Sequence, residues 1–395
     1  MPGKVLILRW TGSAYDSLGG QLQLIGQELT AEGFQTEMFT VNGPDWINQL
    51  VAQLAKGGYA FALTMSGVAV NITGQRGRLL WEAVKVPLFN WNCDHPCYSL
   101  APHVVRNRFV LHGYVFPDHA RYNIRHLNPN GAAFAVHIGM PPRSAFADAP
   151  LPATRRNGRI MFAKSGRDTS TIEARWKTYV PVMRDILFEA AEALFHRSTM
   201  DFIPVLQLIC EPHGVLLDGN SELALALIRE IDTYIRFKRG NLLVRTLLRY
   251  PVDVYGTGWE HINEDGAATR FHGAANWDDM MRRLPSYLGC LSMNPLVERS
   301  VHDRVFYGLA AGVAPSSDSN AFSRNHTPAL ECYNFAFNRE RIEQALDALL
   351  SDPHDALDRT EATYQSMSAE FTMRHAVQRI AQFASIRTTN ARASA

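Results

Sequence analysis

Several polar residues directly follow short apolar runs of the kind that form buried parallel strands. In a parallel sheet, ligands bind beyond the carboxyl ends of the strands, so residues at these positions are the first candidates for chemistry. The stretch from Asn294 to Arg304 follows an apolar run at 288–293. A helix that begins near Ser300, which would cap it, offers free N–H groups and a positive dipole end to a diphosphate. Arg304 would add charge-assisted hydrogen bonds; the alternative is a capped helix with solvated arginines.

A glycine-rich turn follows another predicted strand. Gly256 and Gly258 come directly after the run at 252–255 and are followed by Trp259. Two glycines would let the backbone approach a ligand closely, with a base or a sugar packed near the indole. The alternative is a plain tight turn, because two glycines at this spacing are weak evidence by themselves.

Basic residues occur at two further places. Lys164 and Arg167 follow the run at 159–163, where either would neutralise a diphosphate leaving group or form a solvated basic turn. A second stretch falls in a predicted helix and has no acid between its members. It would contact an acidic acceptor or a membrane surface, or form a solvated helix face. Its members are Arg236, Lys238, Arg239, Arg245 and Arg249.

Candidates for proton transfer lie in the first half of the chain. Asp94 and His95 follow the apolar run at 86–91, and either side chain can act as a general base. The alternative is an aspartate that caps the next turn and a histidine packed beside Pro96. His137, at the end of another run, is a second candidate for the same role.

The elements that would position these residues alternate between strands and helices. This alternation predicts βαβ units with parallel sheets. The pair Gly19–Gly20 leads into the first helix but does not form the GxGxxG pattern, so a nicotinamide site is not predicted. Residues 141–158 are rich in proline and are interpreted as a linker, and 179–250 as a mainly helical region in which Ser221 caps a helix.

Composition limits the classes of function. With 395 residues the chain is expected to form two domains, and 39 basic against 38 acidic residues give no overall field that would attract nucleic acid. Five scattered cysteines indicate a reducing compartment rather than a disulfide framework. Cys93 and Cys97 lack a second pair at zinc spacing, and no segment has the roughly 20 apolar residues of a membrane span.

The region from about 240 to 385 resembles GT-B glycosyltransferases, and most of all the spore-coat CgeB-like group of glycosyl transferases. The pattern N…R-V-F-E-x-L-A-x-G of that group is matched in order, and Tyr255 to Trp259 resembles its Y-G-x-G-W. Tyr307 occupies the position where these enzymes commonly place the glutamate that binds the donor ribose, and Glu298 lies upstream of the helix. The residues that match the first pattern are Asn294, Arg304, Val305, Phe306, Leu309, Ala310 and Gly312.

The resemblance implies an α/β protein of GT-B fold. Two Rossmann-like domains would face a central cleft, with a helical elaboration in the second domain. The expected divisions are an acceptor domain at 1–150, a nucleotide-sugar domain at 158–360, and a segment at 361–395 whose helix packs back across the interface.

The resemblance also implies a cytoplasmic glycosyltransferase that moves a sugar from a nucleoside diphosphate to an unidentified glycan, protein or small molecule. We expect no metal, no cofactor apart from the donor and no nucleic-acid partner, whereas peripheral membrane contact stays open. Alternatives are a nucleotide-sugar epimerase or hydrolase, and a non-catalytic sugar- or protein-binding protein. Asp94 or His95 would be the base, and the donor would contact Lys164, Arg167, Gly256, Gly258, Trp259, Asn294, Ser300, Arg304 and Tyr307.

Overall fold

The computed structural model of the chain describes residues 3–12, 14–74, 77–146, 149–197, 201–262 and 266–393. It divides into two compact units, the first formed by residues 1–139 and 370–395 and the second by residues 140–369. Each unit contains a parallel sheet with helices, as the alternation of elements predicts.

The described strands of the first unit form a six-stranded parallel sheet in the order β2-β1-β3-β4-β5-β6. The central strands are buried along nearly their whole length, which is why they read as continuous apolar runs. The strands are β1 (Lys4–Trp10), β2 (Gln35–Val41), β3 (Tyr59–Met65), β4 (Leu88–Asn92), β5 (Val110–Tyr114) and β6 (Ala133–Ala135).

The described residues of this unit form five α-helices. They are α1 (Ser17–Ala31), α2 (Trp46–Ala55), α3 (Leu80–Val84), α4 (Pro117–Tyr122) and, from the end of the chain, α14 (Met373–Ala393). Gly19 and Gly20 lie inside α1 and do not precede it as predicted. A Cβ on Gly19 would come within 2.1 Å of an Asp16 carboxylate oxygen, so glycine leaves room for the ion pair between Asp16 and Arg9.

The last helix belongs to the first unit through polar and aromatic contacts. Arg374 Nε donates to Glu32 Oε1 over 2.5 Å, and Gln378 donates to the other oxygen of that carboxylate. The rings of Phe134 and Phe383 are 4.2 Å apart between centroids. The predicted C-terminal segment 361–395 is therefore shared: its first residues lie in the second unit and α14 in the first.

The described strands of the second unit form a five-stranded parallel sheet in the order β11-β10-β7-β8-β9. The predicted strand at 252–255 is confirmed at its predicted bounds, whereas the expected strand at 335–337 is reduced to one bridge between Phe335 and Asp318. The strands are β7 (Ile160–Ala163), β8 (Val252–Tyr255), β9 (Arg270–Phe271), β10 (Gly289–Leu291) and β11 (Ala314–Ser316).

Helices surround the second sheet, and the predicted helical elaboration is confirmed. Ser221 caps α8 as predicted, because its Oγ accepts from the N–H of Ala224 over 3.1 Å. No helix in the described ranges is long and apolar enough to cross a membrane. The helices are α5 (Ser170–Lys177), α6 (Pro181–Phe195), α7 (Phe202–Cys210), α8 (Glu222–Leu247), α9 (Trp277–Arg283), α10 (Asp303–Ala311), α11 (Ala321–His326), α12 (Arg339–Ser351) and α13 (Pro353–Ser368).

The segment interpreted as a linker, 141–158, belongs to the second unit, apart from 147 and 148, which lie outside the described residues. Arg156 explains why this segment is attached. Its guanidinium donates to the carbonyls of Tyr287 over 2.7 Å, Gly312 over 2.8 Å and Pro285 over 3.1 Å. By donating to backbone carbonyls of the second unit, Arg156 attaches this proline-rich segment to it.

Candidate functional site

The residues predicted to bind a donor follow three neighbouring strands of the second sheet, and Asp318, which was not among them, follows a fourth. Lys164 comes directly after β7 and Gly256 directly after β8, while the loops around Asn294 and Asp318 follow β10 and β11. Because the carboxyl ends of parallel strands meet at one edge, the strand order brings these four loops side by side.

The loops after β7 and β8 pack against each other through glycines. A Cβ on Gly256 would lie 2.3 Å from the carbonyl oxygen of Lys164, and one on Gly258 would lie 2.3 Å from that of Gly166. Gly166 N–H also donates to the carbonyl of Thr257 over 2.8 Å. Gly256 and Gly258 are thus required because two backbones touch at these positions, whether or not a ligand binds.

Trp259 completes this packing and corrects one expectation. Its side chain is 3 % exposed, its indole N–H donates to the carbonyl of Lys164 over 2.8 Å, and its ring covers Gly166. The indole is therefore not an open surface on which a base or a sugar could stack. It fixes the backbone that carries Lys164.

Asn294 holds the loop that precedes α10. Its N–H donates to Asp318 Oδ1 over 2.7 Å, and its amide donates to the carbonyl of Asp318 over 2.8 Å. Its own side-chain oxygen accepts from the N–H of His302 over 2.8 Å. With every polar atom of the amide used in this way, Asn294 is a brace between two strand ends.

Ser300 does not cap α10 as predicted. The helix begins at Asp303, so His302 is the N-cap residue, and Ser300 is fully buried with its carbonyl bonded to the amide of Asn320 over 2.8 Å. The loop between β10 and α10 is therefore longer than the sequence suggested. The amide of Asn320 also donates to the carbonyl of Val297 in this loop.

Arg304 lies in the first turn of α10 beside a histidine and a carboxylate. Its Nη1 is 3.2 Å from His302 Nε2, and the other ring nitrogen of His302 contacts Asp303. Burial lowers the pKa of His302. Burial would raise the pKa of Asp303, but His302 and Arg304 hold it at about 2. The partners assign the tautomer: Nδ1–H donates to the ionised Asp303, and Nε2 accepts from Arg304.

Lys164 is the most strongly perturbed cation of this edge. Burial lowers the pKa of its ammonium to about 7, with Arg304 and Arg236 adding repulsion and Asp232 and Asp318 opposing it. Lys164, Arg236 and Arg304 therefore interact electrostatically, and we call these three side chains the cation group. Such a group beyond the ends of parallel strands is suited to a multivalent anion.

Two buried carboxylates adjust the charge of this group. Asp232 Oδ2 lies 2.8 Å from Arg236 Nε, one helical turn along α8, and its side chain is fully buried. Burial raises the pKa of Asp318 to about 6, against the influence of Arg239 and the N–H of Asn294. Sequence reasoning missed both carboxylates and the role of Arg236. The spacing of Asp232 and Arg236, four residues apart on a helix, was the available signal.

The basic stretch around α8 is only partly a solvated face: Arg245 and Arg249 are exposed, whereas Arg236 and Lys238 are half-buried and Arg239 is buried. Arg239 is 2 % exposed and donates to the carbonyls of Phe195 over 2.8 Å and Leu194 over 3.3 Å, at the end of α6. Its guanidinium also lies 4.5 Å from the ring centroid of Phe337. Other members pair with distant acids, Lys238 with Glu192 at 3.9 Å and Arg249 with Glu343 at 3.8 Å.

The three remaining candidates of the second unit, Arg167, Tyr307 and Glu298, are exposed or contact other parts of the protein. Arg167 is exposed, with its guanidinium 5.8 Å from the ring centroid of Phe237. Tyr307 is buried inside α10 with its ring edge-on to Trp277. Glu298 accepts from the N–H of Ala321 over 2.9 Å at the start of α11.

The two candidate bases of the first unit have different environments. Asp94 is exposed directly beyond the end of β4. His95 is fully buried, its Nδ1 accepts from the N–H of Cys97 over 3.2 Å, and its ring packs 4.3 Å from that of Tyr122. A base must reach the acceptor, so the geometry favours Asp94 and gives His95 a packing role. His137 is half-buried with its ring edge-on to Phe371.

In the described ranges, no group of three or more His, Cys, Asp or Glu side chains is arranged to hold a metal ion.

Comparison with known proteins supports the predicted class. Residues 236–382 match a family model described as glycosyl transferase-like, which confirms the glycosyl transferase-like motifs recognised between about 240 and 385. No curated protein matches the chain in sequence.

Solved structures resemble the chain over nearly its whole length. An alpha-glucosyltransferase in complex with UDP and a 13-mer DNA is 9% identical, with a TM-score of 0.56 over 97% of this chain and 99% of that chain. Sucrose-phosphate synthase from Thermosynechococcus elongatus is 12% identical, with a TM-score of 0.53 over 96% and 98%. A glycosyltransferase from Rickettsia africae is 10% identical, with a TM-score of 0.51 over 98% and 99%. The predicted fold is confirmed: the chain has the two Rossmann-like units of the GT-B fold.

Replacing Gly258 with alanine tests the packing of the two loops. The new Cβ would meet the Gly166 carbonyl oxygen at 2.3 Å, so G258A should lose more unfolding free energy than the strain of about 1–2 kcal/mol expected for a left-handed residue alone. Gly266 has a φ of +80°, close to the +83° of Gly258, and open space around its Cβ position, which makes G266A the matched control. Urea unfolding measures both. Equal losses would mean that the contact with Gly166 is unimportant.

Proposed function

We propose that this chain is a glycosyltransferase that binds a nucleoside diphosphate sugar on its second unit and transfers the sugar to an acceptor. The observation that carries the proposal is the cation group beyond the ends of adjacent parallel strands. Two of its members, Arg236 and Arg304, fall within the segment that matches the glycosyl transferase-like family model. A similar structure contains UDP, a ligand whose diphosphate such a group would bind.

The cation group would act on the leaving group. Cleavage of the bond between the sugar and the diphosphate leaves negative charge on the diphosphate, and donors already in position stabilise that charge without rearrangement. Three side chains supply this charge stabilisation in the proposed reaction, which is why we propose that it proceeds without a metal.

Lys164 has a specific part in this arrangement. Its ammonium is destabilised by burial and by two guanidinium groups when no anion is bound. A diphosphate would supply the missing opposite charge, so part of the binding free energy comes from relief of this repulsion. Arg304 is held ready by His302, whose ring accepts from its guanidinium.

The donor would also contact backbone of the surrounding loops. Gly256 and Gly258 lie directly after β8 beside the Lys164 loop, and the N-terminus of α10, where His302 caps the N–H of Arg304, presents its positive dipole end. Arg167 remains a candidate contact at the margin of this region. We assign Trp259, Asn294 and Ser300 to support of the site, because their polar atoms or faces are engaged within the protein.

We propose Asp94 as the base that takes the proton of the acceptor. Its carboxylate is exposed at the carboxyl end of β4, the edge at which parallel sheets bind ligands. This assignment gives the first unit the acceptor and the second unit the donor, with domain limits close to residue 140 and with α14 in the acceptor unit.

The proposed acceptor is a glycan, a protein or a small molecule and not a nucleic acid. The chain has a net charge of +1, and several basic residues of α8 are paired with acids or buried carbonyls. Nucleic-acid or anionic-membrane binding requires uncompensated basic surface. All five cysteines are free thiols, which supports the proposal of a reducing, cytoplasmic location.

The motifs between Tyr255 and Gly312 support a place near the CgeB-like group. The buried Tyr307, in the position of the usual ribose-binding glutamate, is the specific observation that favours a non-catalytic sugar-binding protein as second candidate. An epimerase or hydrolase would turn over the donor without an acceptor. Donor turnover with and without an acceptor library separates the three functions.

Thermal-shift measurements with nucleoside diphosphates test the donor site. Ligand at about 100 times its Kd should stabilise the wild type by about 2.7 kcal/mol. R304A should weaken binding about tenfold to a hundredfold, because it removes charge-assisted hydrogen bonds of about 1.5–3 kcal/mol. Arg341, exposed on α12, provides the control variant R341A. If no nucleotide stabilised the folded wild type, the second candidate would be preferred.

The pKa of Lys164, lowered to about 7, predicts how binding depends on pH. A diphosphate favours the protonated amine, so binding takes up a proton when the free side chain is neutral. The Kd should therefore rise by up to about tenfold per pH unit above pH 7. Calorimetry in two buffers of different ionisation enthalpy measures the uptake. K164R stays charged and should lose this dependence; an unchanged profile would contradict the assignment.

Asp94→Asn tests the base. Removing a general base typically lowers kcat by about 10²–10⁴-fold, whereas nucleotide affinity should stay the same because the donor binds the second unit. Asp45, an exposed carboxylate of the same unit, gives the control variant D45N. Full transferase activity in D94N would remove Asp94 from the mechanism.

A further inference from the structure

A cavity of about 370 Å³ lies at the amino ends of β5 and β6 in the first unit. Its lining comes from the segment that leads into β5, from β5 itself, and from the loop that leads into β6. This is the edge opposite to the one that carries Asp94, because all strands of the sheet run in parallel. The cavity therefore has no part in the proposed transfer.

The lining is cationic and rich in amides. Arg106 and Arg108 contribute two guanidinium groups, Asn107, Asn128 and Asn130 contribute amides, and the lining residues include no Asp or Glu. A contact with an acid occurs at the margin, where the amide of Asn107 is 3.5 Å from Glu82. Guanidinium forks without carboxylates between them favour a phosphate or a carboxylate.

His112, which also lines the cavity, has an unsatisfied buried nitrogen. The residue is 7 % exposed, and its Nε2 lies 2.9 Å from the carbonyl of Val105, to which it donates. The other ring nitrogen, Nδ1, has no partner among the described residues. A rotation of the ring that exchanges the two nitrogens would instead leave Nε2 without a partner. Buried polar atoms without partners are rare.

The charge state of His112 determines whether Nδ1 requires a hydrogen-bond donor or an acceptor. Burial lowers the pKa of the imidazole, so the ring is neutral near pH 7. Since Nε2 carries the proton that bonds Val105, Nδ1 presents a lone pair and requires a donor. A hydroxyl group of a ligand supplies such a donor, whereas a fully deprotonated anion does not.

We propose that this cavity binds a small polyhydroxylated anion of the sugar phosphate class, with the anion on Arg106 and Arg108 and a hydroxyl donating to His112 Nδ1. The volume, at the lower end of the range of ligand pockets, fits a molecule of monosaccharide size. The site is thus separate from the donor site of the second unit.

Calorimetric titration of the full chain tests the proposal with four probes: glucose 6-phosphate, glucuronate, inorganic phosphate and glucose. Glucose 6-phosphate should bind at least tenfold more tightly than inorganic phosphate or glucose, and comparison with glucuronate distinguishes a phosphate from a carboxylate site. The double variant R106A/R108A should lower the affinity at least tenfold. Both arginines are exposed, so the variant should fold, and R121A, an exposed arginine on α4 outside the cavity, is the control.

Nitrogen NMR of the histidine side chains tests the second contact. The Nδ1 resonance of His112 should move to lower frequency when glucose 6-phosphate binds, because the lone pair then accepts a hydrogen bond. Absence of binding by all four probes would overturn the proposal. So would equal binding of inorganic phosphate and glucose 6-phosphate, unchanged affinity in R106A/R108A, or an unchanged His112 resonance. R304A, which should lose nucleotide binding, should keep glucose 6-phosphate binding, so failure of either site is recognised separately.

Discussion

The ammonium of Lys164 is repelled by Arg304 and Arg236, and this repulsion determines how the edge of the second sheet is built. Like charges that interact in this way are stable only when the backbone holds them in place and nearby carboxylates reduce the net charge. The glycines and Trp259 provide the first condition by locking the Lys164 loop to its neighbour. Asp232, Asp303 and Asp318 provide the second, and the pKa of Lys164 is still lowered to about 7.

The support around this edge is made of polar side chains that bond backbone atoms. Asn294 connects the ends of β10 and β11, Asn320 fixes the loop that leads into α10, and Arg239 covers the last carbonyls of α6. Irregular loops expose unpaired backbone groups, and each of these side chains satisfies several of them at once. A rigid frame of this kind holds Arg304 in place before a ligand arrives, which is the arrangement that electrostatic stabilisation of a leaving group requires.

Two buried histidines of the first unit are neutral near pH 7. Burial lowers the pKa of His103 to about 3, and it also lowers that of His112. Both rings act as hydrogen-bonding groups, His103 with the hydroxyl of Tyr114 over 2.8 Å. In the second unit, Lys164 and Asp318 have pKa values moved towards neutrality from opposite sides.

Local patterns were sufficient for several elements. The bounds of β8 were predicted correctly from a short apolar run, and the cap at Ser221 from its position at the start of a helix. The same logic placed Lys164 and Arg304 beyond strand ends. α13 was missed because the residues of its buried face, Ala356, Thr360, Thr363 and Met367, are mostly small or polar and show no apolar periodicity.

The sequence by itself thus determined the fold class, the order of the strands along the chain and the positions of the polar loops that follow strand ends. Only the tertiary structure decided which residues of those loops are engaged within the protein. Asn294, Trp259 and His95 were read as ligand or catalytic groups, yet their partners, Asp318, Gly166 and Tyr122, are distant in sequence. The residue type determines which hydrogen bonds and contacts a side chain can form. Its partner depends on which strands become neighbours, and therefore on packing across the whole sheet.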